Sequence, residues 1–182
     1  MNEEKRIRCS KFLALILRHQ PESVGLTLEP EGWAPVDDVL AACRKKNRAL
    51  SFEELEELLA LDEKKRYSLD ESRTKIRANQ GHSAAVELTF EERTPPALLY
   101  HGTVDRFLTS IFEQGLKPRS RHHVHLTENL ETARKVGARR GKPVILTVNA
   151  EAMARAGHRF YVSENDVWLT DAIPPEFLSR EG

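Results

Sequence analysis

Apolar residues recur at helical spacing near the start of the chain. Ile7, Phe12, Leu13, Ile16 and Leu17 predict a helix over residues 5–19, ended by Pro21 and the nearby Gly25. Leu26-Thr27-Leu28, Glu29-Pro30-Glu31-Gly32 and Trp33 read as a small hairpin. Pro35 suits a first helical turn, so Val36 to Lys46 is the next expected helix. Ser51 followed by Glu54 is a capping box that opens a helix to about Leu61. Arg66 to Leu69 and Lys75 to Ala78 look like short strands.

After Thr94-Pro95-Pro96 the texture changes, and that tripeptide is the expected linker. Leu98-Leu99-Tyr100 and Val144 to Val148 are compact apolar strand candidates. Val104 to Gln114 reads as a helix stopped by Gly115, and Leu130 to Arg140 as another stopped by Gly141. Val162 to Thr170 is a late strand. The pattern predicts an α+β chain of two lobes, with helices and a small winged-helix-like ribbon in residues 1–93 and short strands with few helices in residues 97–182. Repeats and low-complexity tracts are not evident.

Composition narrows the class. The chain has 182 residues, enough for one large domain or two small ones, and with 40% of them apolar and 31% charged it can bury a core as a soluble protein. No apolar run approaches the ~20 residues of a membrane span, and the charged start, Met1 to Cys9, is unlike a signal peptide, so a cytoplasmic location is expected. Cys9 and Cys43 belong to no CxxC or zinc-spaced set, so neither a disulfide framework nor a metal is expected.

Net charge is zero, which argues against indiscriminate nucleic-acid binding. Charge is nonetheless segregated. Lys117 to Lys142 carries eight Lys or Arg, three histidines and only two acids, Glu128 and Glu131, while acids concentrate in Glu53 to Glu63. A neutral chain with one strongly basic segment suits a local anionic ligand.

Five stretches concentrate unusual polar residues. Leu17-Arg18-His19-Gln20 closes the first helix, where cations also simply complement the helix dipole. Lys64-Lys65-Arg66-Tyr67 also reads as a solvated turn. Arg77 to Ser83, which includes Gln80 and His82, also reads as a plain loop, yet it offers donors and an imidazole and little that packs. In Arg119 to Thr127, two arginines and three histidines at a strand start are costly to place by chance and are side chains that bind phosphate. Tyr100-His101-Gly102-Thr103 follows an apolar strand and precedes a helix. Gly102 there permits close backbone approach by a ligand, and N–H groups at the helix start suit a pyrophosphate or amide. No catalytic triad, P-loop or dinucleotide fingerprint is present, so the chemistry must work by binding anions and stabilising charge.

Taken in series, Leu17-Arg18-His19, Lys65-Arg66-Tyr67, Ala78-Asn79-Gln80-Gly81-His82-Ser83, His101-Gly102-Thr103 and Ser120 to Leu126 resemble the RNA 2′-phosphotransferase family, the last enzyme of fungal tRNA splicing and its bacterial relatives. The resemblance runs in the right order over nearly the whole chain. It implies a winged-helix-like lobe that receives RNA and an ADP-ribosyltransferase-like lobe that receives NAD as co-substrate. It also implies an Arg-His-Arg-Arg active-site set, which maps onto Arg18, His19, Arg66 and Arg121. Of the His-Tyr-Glu signature of ADP-ribosyltransferases, His101 matches the first position, His125 the second and Val167 the third. Losing the Glu fits a phosphate nucleophile, which a carboxylate would repel.

The implied reaction removes an internal RNA 2′-phosphate through an ADP-ribosylated RNA. Its products are 2′-OH RNA, nicotinamide and ADP-ribose 1″,2″-cyclic phosphate. Arg18, Arg66 and Arg121 are expected on the phosphate, and His19 either on the phosphate or as a proton-transfer group. His101, Gly102 and Thr103 are expected on the nicotinamide ribose, and Gln80, His82 and Ser83 on the pyrophosphate or adenosine. Arg119, His123 and Arg77 are lesser candidates for RNA or cofactor phosphates. A monomer, with 2′-phosphorylated RNA and NAD as partners and without membrane or metal, completes the expectation. Two rivals stay open: an ADP-ribosyltransferase acting on protein or a terminal nucleic-acid phosphate, and a winged-helix regulator with a ligand-binding lobe.

Overall fold

The computed structural model describes residues 1–84, 86 and 88–181, and its chain divides into two compact units, Met1–Thr89 and Phe90–Gly182. Each mixes helix and sheet around its own apolar core, an α+β arrangement.

In the first unit, α1 (Glu3–Ala14) starts where the Asn2 side chain accepts the Lys5 N–H, with Glu3 and Glu4 in the first turn. It runs directly into a π-helical turn, Leu15–His19, closed by the Gln20 N–H on the Leu15 carbonyl at 2.8 Å. The helical signal in the sequence thus spans two geometries. The wide turn extends the buried face from Ile16 and Leu17 to Arg18, which is only 7% exposed. A 3₁₀ turn, Pro21–Val24, then ends at Gly25 in the left-handed region (φ 69°).

The hairpin expected over residues 26–33 does not form. Pro30–Gly32 is a 3₁₀ turn, and the two-residue β1 (Ala34–Pro35) pairs with a strand some forty positions later. Helix α2 (Val36–Lys45) follows Pro35, and α3 (Phe52–Ala60) opens with the complete Ser51/Glu54 capping box, worth about 1 kcal/mol. Strands β2 (Tyr67–Leu69) and β3 (Lys75–Ala78) are antiparallel, and β3 lies between β1 and β2. Cys9, Leu13, Ile16, Leu17, Leu55 and Ile76, all essentially inaccessible, fill the core.

The second unit begins before the expected linker, because β4 (Glu91–Glu92), ahead of Thr94-Pro95-Pro96, pairs with a strand at residues 161–162. The long strand β5 (Leu98–Val104) leads through a 3₁₀ turn into α4 (Leu108–Gln114), so the helix expected from Val104 is broken and short. Then come β6 (Val124–Leu126), α5 (Leu130–Ala138), β7 (Pro143–Asn149) and α6 (Ala150–Arg155), the last not expected from the sequence. The single late strand expected over Val162 to Thr170 is two strands, β8 (Tyr161–Val162) and β9 (Trp168–Thr170). The turn between them carries Asp166 at φ 58°. Strand β10 (Leu178–Arg180) closes the chain. The sheets are β10-β7-β5 and β4-β8-β9-β6, tied by an isolated bridge between Tyr100 and Thr127.

Gly102 and Gly137 let α5 lie directly on β5. A Cβ at Gly102 would fall 1.8 Å from the Ala133 carbonyl oxygen and 2.7 Å from the Gly137 nitrogen. One at Gly137 would fall 2.8 Å from the Thr103 carbonyl oxygen.

Candidate functional site

In the first unit, three of the expected active-site residues are neighbours. The π turn presents Arg18 and His19 in succession. The Arg18 carbonyl accepts the N–H groups of Ser83 (2.8 Å) and Ala84 (3.0 Å), which docks the polar loop onto the helix end. His19 Nδ1 and Ser83 Oγ share a hydrogen bond of 2.8 Å. The Arg18 guanidinium lies 5.6 Å from the centre of the Tyr67 ring and reaches the Arg66 carbonyl at 3.5 Å. Burial raises the Tyr67 hydroxyl above its ordinary pKa against the opposing pull of Arg18, so it stays protonated and donates to the Ser10 carbonyl at 2.9 Å.

Arg66 sits on a tight turn. Lys65 takes a left-handed backbone (φ 41°), its carbonyl is held by Asn79 Nδ2 at 2.8 Å, and the Arg66 carbonyl accepts the Asn79 N–H at 2.9 Å. The Asp62 carboxylate accepts both the Arg66 backbone N–H (2.7 Å) and its Nη1. Asp62 escapes a reading of the sequence because it looks like the tail of the acidic run. The i, i+4 spacing to Arg66 is the available signal.

The remaining expected residues of this unit are placed differently. His82 is buried beside Gly32, whose missing Cβ would stand 3.1 Å from Nε2. Gln80 is half-buried, and Ser83 faces His19. All three are expected on the cofactor, and the structure puts them in the unit that carries Arg18 and His19. Arg77 packs over the Trp33 ring at 4.6 Å and pairs with Glu31 at 3.3 Å.

In the second unit, His101, Gly102 and Thr103 lie within β5 rather than after it, opposite Leu146, Ile145 and Val144 of β7. The space at Gly102 is taken by α5, and Thr103 is buried. The donors expected at a following helix start belong instead to the 3₁₀ turn Asp105–Phe107.

His101 Nδ1 lies 3.0 Å from the His125 carbonyl oxygen, which can only accept, so Nδ1 carries the proton and Nε2 keeps its lone pair. Arg121 Nη1 lies 3.1 Å from His125 Nδ1. A guanidinium only donates, so that nitrogen is unprotonated. His125 therefore touches both: its main chain holds His101 and its ring holds Arg121. Burial, and then the Arg140 and Arg139 charges, push the Arg121 guanidinium down from its usual value. Arg119 (φ 54°) lies over the Phe107 ring at 4.5 Å. His123 meets Phe90 and Tyr161 edge-on, with Asp171 3.7 Å away.

Burial lowers the His101 pKa from its ordinary 6.5. The bond to the His125 carbonyl opposes this, and Arg140, Arg119 and Arg121 reinforce it. His101 is thus neutral at neutral pH. On acidification the unfolded chain takes up this proton first. The associated stability is present in full above pH 6.5 and is lost as pH falls from there through the lowered folded value. Melting temperatures from about pH 8 to about pH 5 should therefore fall less steeply for His101→Gln than for the parent chain. Equal slopes would mean that another group carries the dependence.

Among the described residues, no set of His, Cys, Asp and Glu could hold a metal ion, and no helix is long and apolar enough to cross a membrane. The polar groups gathered in the two units include cations and imidazoles, side-chain types that bind phosphate.

Comparison with known proteins agrees with that chemistry. Residues 4–172 match the family model described as RNA 2′-phosphotransferase, Tpt1 / KptA family. A protein of Flavobacterium johnsoniae is 52% identical over 98% of both chains. One of Streptomyces griseus is 48% identical over 100% of both. One of Pseudomonas syringae is 48% identical over 99% of this chain and 97% of its own. Each is named "Probable RNA 2′-phosphotransferase". With its Arg18, His19, Arg66 and Arg121 motifs all inside the matched span, the chain belongs to the RNA 2′-phosphotransferase family, whose members are transferases.

Proposed function

We propose that the chain removes the 2′-phosphate of RNA, at an internal position, in an NAD-dependent reaction. The observation that carries this reading is the gathering of Arg18, His19 and Arg66 around Tyr67 and Ser83 in a chain of this family. On this reading the first unit, Met1–Thr89, is a winged-helix-like lobe for RNA, and the second, Phe90–Gly182, is an ADP-ribosyltransferase-like lobe for NAD. The enzyme works as a cytoplasmic monomer without metal.

The polar set fits NAD as a consumed co-substrate. A neutral His101 with a lone pair on Nε2 can accept a ribose hydroxyl, and the cations near it suit a pyrophosphate. NAD supplies the electrophilic C1″ and a leaving group that departs neutral. In the first step a 2′-phosphate oxygen bonds to C1″, and the bond to nicotinamide breaks with its electron pair. In the second, the 2″-oxygen bonds to phosphorus and the bond to RNA breaks. The proton lost from the 2″-hydroxyl is balanced by one gained at the RNA 2′-oxygen. Arg18, Arg66 and Arg121 hold the phosphate and stabilise the charge that builds on its oxygens. His19, oriented by Ser83, binds the phosphate or carries the proton. His101 and His125 serve the cofactor side, Gly102 and Thr103 through their main chain alone, with Gln80, His82 and Ser83 toward pyrophosphate or adenosine.

The expected result is nicotinamide release strictly dependent on 2′-phosphorylated RNA, with ADP-ribose 1″,2″-cyclic phosphate appearing in step with it. An RNA carrying only a 5′-phosphate is the comparator. Removal of the 2′-phosphate without NAD, or faster reaction with the 5′-phosphate RNA, overturns the reading.

A further inference from the structure

We infer that Asp62 is a positioning residue for the reaction, fixing the Arg66 side chain in its phosphate-gripping direction. This rests on the reading of Arg66 as a phosphate ligand.

The main chain at Arg66 is already fixed. Asn79 holds the carbonyls of Lys65 and Arg66, and Arg18 Nη2 reaches the latter as well. What the backbone leaves undetermined is the arginine's long side chain. Such a chain must surrender its rotamer freedom on gripping an anion, and that loss comes out of binding unless the freedom is already gone. Asp62 removes it. One carboxylate oxygen accepts the Arg66 backbone N–H at 2.7 Å and the other accepts Nη1. Both anchors come from a side chain only 6% exposed, on a turn tied to α3 by the Asp62 N–H on the Leu59 carbonyl at 3.2 Å. A guanidinium carries five N–H donors in a rigid fork, so one edge committed to a carboxylate still presents others to a phosphate.

The rival explanation is local. Asp62 also accepts the Lys64 N–H at 3.4 Å and so helps shape the turn itself. Asn at this position keeps an acceptor oxygen for the turn but loses the charge that holds the guanidinium, which separates the two roles.

The test is a double-mutant cycle on formation of 2′-OH RNA from 2′-phosphorylated RNA and NAD, with thermal melts of every variant. Asp62→Ala is expected to slow turnover roughly 10–100-fold, the range for a hydrogen bond to a charged group. Asp62→Asn is expected to slow it while melting close to the parent. On an Arg66→Ala background, the same Asp62 changes should alter the rate less than about twofold, because the residue they act through is gone. Equal losses in both backgrounds, or full activity of Asp62→Asn, overturn the positioning role while leaving Arg66 as ligand. Full activity of Arg66→Ala alone overturns the reading of Arg66, and the role of Asp62 falls with it.

Discussion

Arg66→Ala and Arg121→Ala should each accumulate RNA that carries ADP-ribose on its 2′-phosphate. In the first step of the proposed reaction, the nucleophile is a phosphate dianion that needs holding near C1″, and the leaving group departs neutral. Remaining cations can still supply much of that alignment. In the second step the phosphate has become a diester with less charge. Its non-bridging oxygens gain charge only as the 2″-hydroxyl attacks. A side chain that meets charge present mainly in that transition state acts on rate rather than on binding. One such donor is worth about 10²–10³ in rate. Each of these guanidinium groups already has a partner, Asp62 for Arg66 and the His125 ring for Arg121, so each is directed before any substrate arrives. A gel of end-labelled 2′-phosphorylated RNA, sampled through a time course with NAD, should show a slower-migrating species that builds and then decays. Loss of all substrate consumption in both variants, with no such species at any time, would mean that the arginines serve mainly to align the starting phosphate.

Gly102→Ala should cost the second unit about 3 kcal/mol of stability or more. The added methyl would meet the Ala133 carbonyl oxygen at 1.8 Å, and that atom belongs to the backbone of α5, which cannot rotate aside like a side chain. Either α5 lifts from β5 or β5 bends away from β7, to which Gly102 is paired through Ile145. Overpacking a core by a methylene ordinarily costs about 1–3 kcal/mol, and a backbone collision belongs at or beyond the upper end. A domain whose whole stability is about 5–15 kcal/mol feels such a loss as a melting temperature lower by roughly 10 °C or more. Gly25→Ala is the control. Gly25 has φ 69°, and a methyl added there meets nothing within 4 Å, so only backbone strain of about 1 kcal/mol applies. Comparable melting of the two variants would show that α5 accommodates the methyl.

These cases mark what the sequence carries locally and what it does not. The Ser51/Glu54 box and the apolar run Val144 to Val148 are legible because their partners lie within a few residues or their burial is continuous. The hairpin expected before Trp33 gives way to the 3₁₀ turn Pro30–Gly32, and β1 after it pairs with β3, a pairing that no local pattern announces. Helix α6 has no clear signal because it is six residues long and depends on the Asn149 side chain capping Ala152. The late strand breaks at Ser163, whose hydroxyl bonds Asn165 and the Val167 N–H and turns the chain. In the site, His101 and Arg121 are visible as residue types, and Arg121 meets the His125 ring only four positions on, yet the hold of the His125 carbonyl on His101 is a contact between β6 and β5 that no local pattern announces. Gly102 reads as room for a ligand, whereas the room is occupied by a helix.

The turn Leu15–His19 amounts to one extra residue spliced into a helix. Everything before it keeps its phase, and everything after it is advanced by about 100° around the axis. Taking one residue out of the preceding turn would preserve the apolar composition and the helical propensity of the segment. It would also swing Arg18 and His19 away from the Arg66 carbonyl and from Ser83. In this stretch, then, spacing decides placement as much as residue identity does. A chain could retain both residues by identity and still lose them by phase.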